Sequence, residues 1–242
     1  IMKRVKGETL LSKIEDHTFT SEELSGITDF MELIYTQMPR TTTYNLPQMM
    51  DHRLGILKSN GVPGEILTNL AQGMAVVYQG LSNATVVFND DGHPEQWIIK
   101  DNLICGLDWE EKGSIPLEVG LVNLIEYKPF LAQEEKTVVI NEHIDFLNKY
   151  IPGFVPDKDL FHLRYTLGII PRVLSLDAAW SSPQRTSLAP RRAEITQNAL
   201  FSSLQRVKQE YPSYYQSKKT AFEQLTKGFQ GLEHFFQSNP LH

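Results

Sequence analysis

A small cluster of strand-like segments inside an otherwise helical chain is the feature that most limits the fold. The segments 96–99, "QWII", and 103–109, "LICGLDW", are short and apolar, and the turn-like "KDN" joins them. Upstream, the stretch 75–92, "AVVYQGLSNATVVFNDDG", is β-branched and ends in the turn signal Asp91-Gly92. The sequence therefore predicts a mainly α chain with a small β-sheet, an α+β fold, and directs the search for chemistry to the loops between the strands.

Helical periodicity covers most of the remaining chain. Thr20, followed by Glu22 and Glu23, is a helix start signal, and apolar residues then recur at helical spacing as far as Met38. Pro171 marks a kink or boundary in a long helical stretch. The predicted helical ranges are 9–14, 20–38, 48–58, 63–73, 116–132, 138–150, 159–180, 190–209 and 212–236. Polar, proline-bounded loops are predicted at 40–47 and 180–192.

Composition excludes several classes of function. A net charge of −6 without a long basic run gives no footprint for nucleic acid or for an anionic membrane surface. No apolar run reaches about 18 residues, so no transmembrane helix is expected. Cys105 is the single cysteine, which excludes an internal disulfide, predicts a small buried residue in a strand and fits a reducing compartment. We therefore expect a cytoplasmic protein.

Several motifs occur in a recognisable order. "LDWEE" supplies Asp108-Trp109-Glu110, the Gly113 and Pro116 pair follows, "VVFNDDG" precedes them as a strand and turn, and "IMKRVKGETL" opens the chain. This order resembles the aminoglycoside-phosphotransferase/choline-kinase family. In that family a His-Gly-Asp start is followed, five residues after the Asp, by an Asn. A strand, a turn and a second strand then lead to Asp-Trp-Glu, a Gly-x-Pro element and an Asp-led helix.

The resemblance implies a protein-kinase-like C-terminal lobe over 1–180, with a hinge at 1–7 and a catalytic-loop region at 76–111. A helical hairpin, 181–242, would extend it. ATP and Mg²⁺ would be the cofactors, with Lys3 and Val5 at the nucleotide and Asp108 as a metal ligand. The alternative for Asp108 is a residue that caps a turn at a strand end.

With the catalytic loop placed at 78–85, this sequence departs from the family at each key position. Tyr78 takes the His position, Gly80 the catalytic Asp position and Thr85 the Asn position. The Asp of the following helix falls on Val119, beside Glu118. Asn83 is an alternative metal ligand if the loop is remodelled. No glycine-rich phosphate-binding motif occurs in the chain.

The remaining polar residues have plainer interpretations. Asp90 and Asp91 are interpreted as turn residues, and Glu110 and Glu111 as a solvated pair. The histidines His93, His143 and His162 lack metal-ligand spacing and are interpreted as surface or packed side chains. Four arginines are likewise expected at the surface: Arg164, Arg172, Arg191 and Arg192. The alternative is that they contact anions.

Three hypotheses of function follow. The first is a degenerate phosphotransferase-like module, a pseudokinase, that binds a nucleotide, a small molecule or a protein partner. The second is an active ATP-dependent kinase of an amino-sugar or amino-alcohol with a non-standard catalytic loop. The third is a helical interaction protein unrelated to kinases, which a structure without a strand-loop-strand arrangement around 76–109 would favour.

Overall fold

The computed structural model describes residues 6–37, 40–41, 46–81, 86–88, 93–101, 103–107, 114–126, 130–181 and 196–239. Its helices are α1 (Leu10–Glu15), α2 (Ser21–Gln37), α3 (Leu46–Ser59), α4 (Gly64–Val77), α5 (Leu117–Ile125), α6 (Gln133–Tyr150), α7 (Lys158–Trp180), α8 (Ser202–Glu210), α9 (Pro212–Ser217) and α10 (Lys219–Ser238). A π-helical segment, Thr196–Phe201, leads into α8. The strands are β1 (Glu8–Thr9), β2 (Arg40–Thr41), β3 (Val86–Phe88), β4 (Trp97–Lys100), β5 (Leu103–Gly106) and β6 (Ser114–Pro116).

The chain divides into two compact units. The first unit comprises Ile1–Tyr44 and Ala84–His162, and the second comprises Asn45–Asn83 and Leu163–His242. The predicted division into 1–180 and 181–242 is a different grouping and stays a prediction of domain limits. The observed mixture of many helices with small antiparallel sheets confirms the mainly α, α+β class at that level.

The first unit contains two three-stranded antiparallel sheets. One has the strand order β1-β4-β5 and the other has the order β2-β3-β6. Within each sheet the strands follow the chain order, but the two sheets alternate along the chain: the hairpin β4–β5 lies in sequence between β3 and β6 and belongs to the other sheet. The segment from 86 to 116 therefore passes from one sheet to the other and back.

Local signals set the beginnings of the helices in this unit. Thr20 and Glu23 form a capping box: the Glu23 N–H donates to Thr20 Oγ1 at 3.2 Å, and the Thr20 N–H donates to Glu23 Oε2 at 2.9 Å. Thr9 caps α1 in the same way, accepting from the Ser12 N–H at 3.0 Å. The predicted starts of α1 and α2 are thereby confirmed.

A close helix pair, α4 and α10, forms the core of the second unit. A Cβ on Gly73 would lie 2.7 Å from Leu225 Cγ and 2.8 Å from the Ala221 carbonyl oxygen, so only glycine permits this approach. Gly228 and Gly231 on α10 face Leu70 and Ile66 in the same manner. The apolar seam predicted for the C-terminal helices is buried here at Phe222, Leu225, Phe229 and Leu232.

Three details differ from the sequence-based prediction. The helix α4 extends to Val77, so the β-branched residues 75–77 are helical rather than extended. Val77 is fully buried, and packing decides its conformation over its strand propensity. Residues Arg40–Thr41, predicted as loop, form β2 against β3. Cys105 in β5 is half-buried rather than fully buried.

Candidate functional site

The strand pair β4–β5 is an antiparallel hairpin whose open end is fixed by a main-chain hydrogen bond. Its pairs run from Lys100↔Leu103 at the turn to Trp97↔Gly106. One step further, the Leu107 N–H donates to the Gln96 carbonyl at 2.7 Å. We call Gln96, Trp97, Gly106 and Leu107 the open end of the hairpin. Residue 96 therefore lies directly beside residue 107, which precedes Asp108.

The second ladder, β3–β6, brackets the same region. It pairs Phe88 with Ser114 and Val86 with Pro116. The connection 89–96 leaves β3 and enters β4, and the connection 107–113 leaves β5 and enters β6. Because β3 pairs with β6, the first connection starts beside the point where the second one finishes. Because β4 pairs with β5, the first connection finishes beside the point where the second one starts. Loops that connect the same two pairs of strands often bring together side chains from distant sequence positions.

Packing fixes the last part of the first connection. Pro94 opens a 3₁₀ turn, Pro94–Gln96, and is buried. The Gln96 N–H donates to the His93 carbonyl at 2.8 Å, which closes the turn. Trp97 follows with no exposed surface and meets the Phe30 ring edge-on at a centroid distance of 5.8 Å. The main chain of Gln96 is thus held on both sides.

Three polar side chains cluster in this turn. His93 Nε2 lies 3.5 Å from Gln96 Nε2, within hydrogen-bond reach. His93 Nδ1 lies 3.7 Å from Glu95 Oε2, and the His93 side chain is 13% exposed whereas that of Glu95 is 43% exposed. The imidazole therefore stands between a solvent-facing carboxylate and the amide at the open end of the hairpin.

The short strand β1 lies along the other side of β4. Glu8 pairs with Ile99 and Thr9 with Ile98. A Cβ on Gly7 would lie 2.5 Å from Ile98 Cγ2 and 2.7 Å from the Ile99 carbonyl oxygen, so the chain passes over β4 at a distance that only glycine allows. Gly7, at the end of the predicted hinge, thus has a structural reason. The predicted nucleotide contacts Lys3 and Val5 lie outside the described residues.

The predicted catalytic loop at 78–85 begins at the end of α4, in the second unit. Tyr78 is the helix C-cap, and its hydroxyl donates to the Leu167 carbonyl at 2.6 Å. Gly80 adopts a left-handed φ of +85°, which suits a turn after a helix. Tyr78 and Gly80 therefore act as helix-terminating residues in this structure. Thr85 and Asn83 lie outside the described residues.

Further donors complete that helix end. The Tyr214 hydroxyl donates to the Val77 carbonyl, and Lys218 Nζ donates to the carbonyls of Val76 at 2.6 Å and Gln79 at 2.9 Å. The last carbonyls of a helix lack the partner four residues on, and here the Val76 carbonyl also accepts from the Gln79 N–H at 3.2 Å. Burial raises the pKa of Tyr214 and lowers the pKa of Lys218, since both head groups are drawn out of water. The described polar side chains at the end of α4 therefore stabilise the main chain of that helix end.

The start of α5 is where the family pattern expects an Asp, which the sequence comparison placed at Val119, beside Glu118. Glu118 lies in the first turn of α5 with 1% of its surface exposed, whereas Val119 is half-buried. The carboxylate at 118, rather than the apolar residue at 119, is therefore the inward-facing group. Asp108, Glu110 and Glu111 lie outside the described residues.

The strand pairing favours a different position for the loop. The prediction at 78–85 required β3 to be the first strand of the pair that leads to Asp108, but β5 pairs with β4, and β3 pairs with β2 and β6. In the family pattern, the Asn comes just before the first of those strands. That position is Gln96, and the residue five places earlier is Asp91. A spacing of five residues therefore occurs at two places in the sequence, from Gly80 to Thr85 and from Asp91 to Gln96.

A separate polar pair is buried between α2 and α6. His143 Nδ1 and Glu32 Oε1 are 2.7 Å apart, with side-chain exposures of 0% and 3%. Burial, helped by the Asp29 and Glu142 carboxylates, raises the pKa of Glu32 to about 9, and burial lowers the pKa of His143 to about 3. Burial therefore disfavours the charged form of both groups, and one hydrogen bond joins Glu32 Oε1 and His143 Nδ1.

The surroundings of this pair are aromatic. The rings of Tyr35 and Phe161 stand 6.0 Å and 6.2 Å from the His143 ring. The other histidine nearby in sequence, His162, contacts Asn141 Oδ1 at 2.9 Å. His143 and His162 are thus packed side chains, in accordance with their plainer interpretation, and the pair has the character of a structural contact between helices.

Two properties bound the chemistry of the described part of the chain. Among its residues, no group of three or more His, Cys, Asp or Glu side chains is arranged to hold a metal ion. None of its helices combines the length and apolar character needed to cross a membrane. Comparison with protein-family models, with curated proteins and with solved structures gives no match.

Proposed function

We propose that this chain is the catalytic part of an ATP-dependent small-molecule phosphotransferase, similar to the aminoglycoside-phosphotransferase/choline-kinase family, with its catalytic loop at 89–96. In this assignment Asp91 is the catalytic base, and Gln96 and Asp108 are the metal ligands. The substrate would be a small hydroxyl-bearing compound such as an amino-sugar or amino-alcohol, and a cytoplasmic location would supply the ATP.

The observation that carries the proposal is the hydrogen bond from the Leu107 N–H to the Gln96 carbonyl. It places the residue just before β4 beside the residue just before Asp108. Phosphoryl transfer requires little covalent chemistry from a protein, but it requires Mg²⁺ to be held by oxygen ligands beside the transferred group. An amide and a carboxylate from two adjoining chain segments meet that requirement.

The donor set fits the ion. Mg²⁺ prefers hard oxygen ligands, and it usually takes one or two carboxylates together with phosphate oxygens and water. Gln96 and Asp108 would hold it, and the bound ion would supply positive charge to the nucleotide phosphates. The spacing from Asp91 to Gln96 equals the five residues that the family places between its Asp and its Asn.

The competing hypothesis, a degenerate module, depended on Gly80 and Thr85 as the base and ligand positions. The roles of Tyr78 and Gly80 in ending α4 provide a structural reason for those residues that does not involve catalysis. The third hypothesis, an unrelated helical protein, predicts no strand-loop-strand arrangement. The order β3, connection, β4 and β5 supports the kinase-like hypotheses instead.

A matched pair of variants tests the assignment. Gln96→Ala and Thr85→Ala remove the amide-ligand candidates of the two competing loop positions. Mn²⁺ affinity, measured by electron paramagnetic resonance with ADP present, and ATP turnover against a panel of amino-sugars and amino-alcohols are compared in the full-length protein. We expect Gln96→Ala and Asp108→Asn to lower both, and Thr85→Ala to change neither.

Two results would count against the proposal. Full Mn²⁺ affinity and turnover in Asp108→Asn would remove the metal site. Loss of both in Thr85→Ala, with Gln96→Ala intact, would return the loop to 78–85. A protein that binds ADP but transfers no phosphate to any compound of the panel would support the degenerate module.

A further inference from the structure

The imidazole of His93 makes the contact that sets the orientation of the Gln96 side chain. Gln96 Nε2 lies 3.5 Å from His93 Nε2, and Glu95 Oε2 lies 3.7 Å from the other ring nitrogen, Nδ1. A neutral imidazole has one N–H and one acceptor nitrogen, and the neighbour of one nitrogen decides the role of the other. The contact with Gln96 therefore sets the role of Nε2, while the Glu95 carboxylate lies beyond hydrogen-bond distance of Nδ1.

The direction of the contact follows from the two atoms that meet. The Gln96 atom is the amide nitrogen Nε2, which can only donate. His93 Nε2 is then the acceptor, and only the NH₂ of the Gln96 amide can donate to it. The amide carbonyl oxygen lies on the opposite branch of the same planar group. The side-chain carbonyl oxygen of Gln96 is therefore turned away from the imidazole.

This arrangement compensates for the length of glutamine. Gln has one more rotatable bond than Asn, so ordering its side chain costs more rotamer freedom. The main chain of Gln96 is already fixed by its bonds to His93 and Leu107. The contact with the His93 ring orders the side chain as well, before any ligand binds.

We propose that His93 is a positioning residue, which holds the Gln96 amide with its carbonyl oxygen available to a divalent cation. The inference rests on the proposed function, because it takes Gln96 as a cation ligand. His93 itself contacts no reacting atom in this scheme. Glu95 acts one step further out and only electrostatically, because its carboxylate lies 3.7 Å from Nδ1 and attracts the ring proton to that nitrogen without a hydrogen bond.

The experiment compares His93→Phe with His93→Gln in the full-length protein. Phenylalanine keeps the ring but offers no acceptor, whereas glutamine offers an amide oxygen in place of Nε2. Two quantities are measured: Mn²⁺ affinity by electron paramagnetic resonance, and the Gln96 side-chain NH₂ resonances by NMR without metal. Outer-shell partners of metal ligands typically affect affinity by about 10–100-fold, and we expect a loss of that order in His93→Phe and a smaller loss in His93→Gln.

The NMR measurement separates this inference from the proposed function. A shift of the Gln96 NH₂ resonances in His93→Phe, together with the affinity loss, supports the positioning role. Unchanged resonances, or shifted resonances with unchanged Mn²⁺ affinity, would overturn it even if Asp108→Asn abolishes binding. If Asp108→Asn leaves Mn²⁺ affinity intact, the proposed function fails, while the resonances still report the contact. Absence of Mn²⁺ binding in the wild type would overturn both.

Glu95→Gln is a milder variant that guards against misfolding. The Glu95 side chain is largely exposed, so the exchange leaves packing unchanged. Because a neutral amide favours the Nδ1 proton less than a carboxylate does, we expect a Mn²⁺ affinity loss smaller than in His93→Phe. A loss in Glu95→Gln that exceeds the loss in His93→Phe would contradict the proposed order of action.

Discussion

The end of α4 and the open end of the β4–β5 hairpin were both candidates for the catalytic loop, and they use polar groups differently. At the end of α4, Tyr78, Tyr214 and Lys218 all donate to main-chain carbonyls. At the open end of the hairpin, the main chain is satisfied by itself, and the side chains of His93 and Gln96 contact each other. Side chains that complete backbone hydrogen bonding belong to the scaffold, whereas those left to organise one another can serve a ligand.

The largest expected effect is on catalysis, and it tests the two loop positions at the residue that would be the catalytic base. Asp91→Asn should lower kcat by about 10²–10⁴-fold, the usual contribution of general base catalysis, with little change in stability. Gly80→Ala should do the reverse, because a φ of +85° costs a residue with a Cβ about 1–2 kcal/mol. Steady-state kinetics and urea unfolding measure the two quantities. An active Asp91→Asn beside a folded, inactive Gly80→Ala would return the catalytic loop to 78–85.

The next effect concerns the scaffold of the second unit. Gly73→Ala should destabilise the protein by about 1–3 kcal/mol, since the new Cβ meets the backbone of α10 and overpacking of this kind carries that cost. The contacts are the Ala221 oxygen at 2.8 Å and the Leu225 nitrogen at 3.0 Å. Gly55→Ala on α3 is the control, because nothing lies within 4 Å of its Cβ position.

For Gly55→Ala we expect a stabilisation of up to about 1 kcal/mol from helix propensity alone. Chemical denaturation gives both values, and Mn²⁺ affinity should be unchanged in both variants. Equal stability changes at the two glycines would mean that α4 and α10 approach each other less closely than the distances indicate.

Much of the fold could be predicted because its signals are local. The capping box of Thr20 and Glu23, the turn after Lys100 and the apolar runs of β4 and β5 lie within a few residues of the elements they define. The end of α4 could not be predicted, because Val77 is helical through burial and through donors more than 80 residues away, such as Tyr214. Propensity is overridden there by tertiary contacts.

The position of the catalytic loop depends on non-local information for a related reason. Its candidate residues were all visible in the sequence, but the proposal of 89–96 over 78–85 rests on which strand pairs with β5. Strand pairing is non-local, and neither β3 nor β4 carries a sequence signal for its partner. Asp108 entered both assignments because it is tied to β5 itself. The contact between His93 and Gln96 could be found only from the structure.

A third kind of polar contact, the buried pair Glu32–His143, sharpens the comparison within the first unit. Glu32 has a folded pKa raised from 4.5 to about 9, so its stabilising contribution is complete below pH 4.5 and is lost as pH rises toward 9. His143 has a folded pKa lowered from 6.5 to about 3, so its contribution is complete above pH 6.5 and is lost as pH falls toward 3.

Between pH 4.5 and 6.5 the two slopes are opposite in sign and cancel, so this pair gives a stability plateau there. Above pH 6.5 the Glu32 term alone remains, at about 1.4 kcal/mol per pH unit. Urea unfolding from pH 4 to 9, compared with Glu32→Gln, isolates it: the variant should lose the alkaline decline. Parallel curves for the two proteins above pH 6.5 would mean that Glu32 is ionised in the folded state.

The smallest effect tests whether Lys218 belongs wholly to the scaffold. Lys218→Met keeps the apolar stem and removes the ammonium group that serves the Val76 and Gln79 carbonyls. A cation at a helix C-terminus contributes about 0.3–1 kcal/mol, and we expect a loss of that size in the free energy of urea unfolding. Turnover and Mn²⁺ affinity should equal those of the wild type, because the carbonyls of α4 bind no ligand in the proposed mechanism. A fall in Mn²⁺ affinity with unchanged stability would instead make the end of α4 part of a binding site, and the distinction between its backbone-directed donors and the side chains at the hairpin would fail.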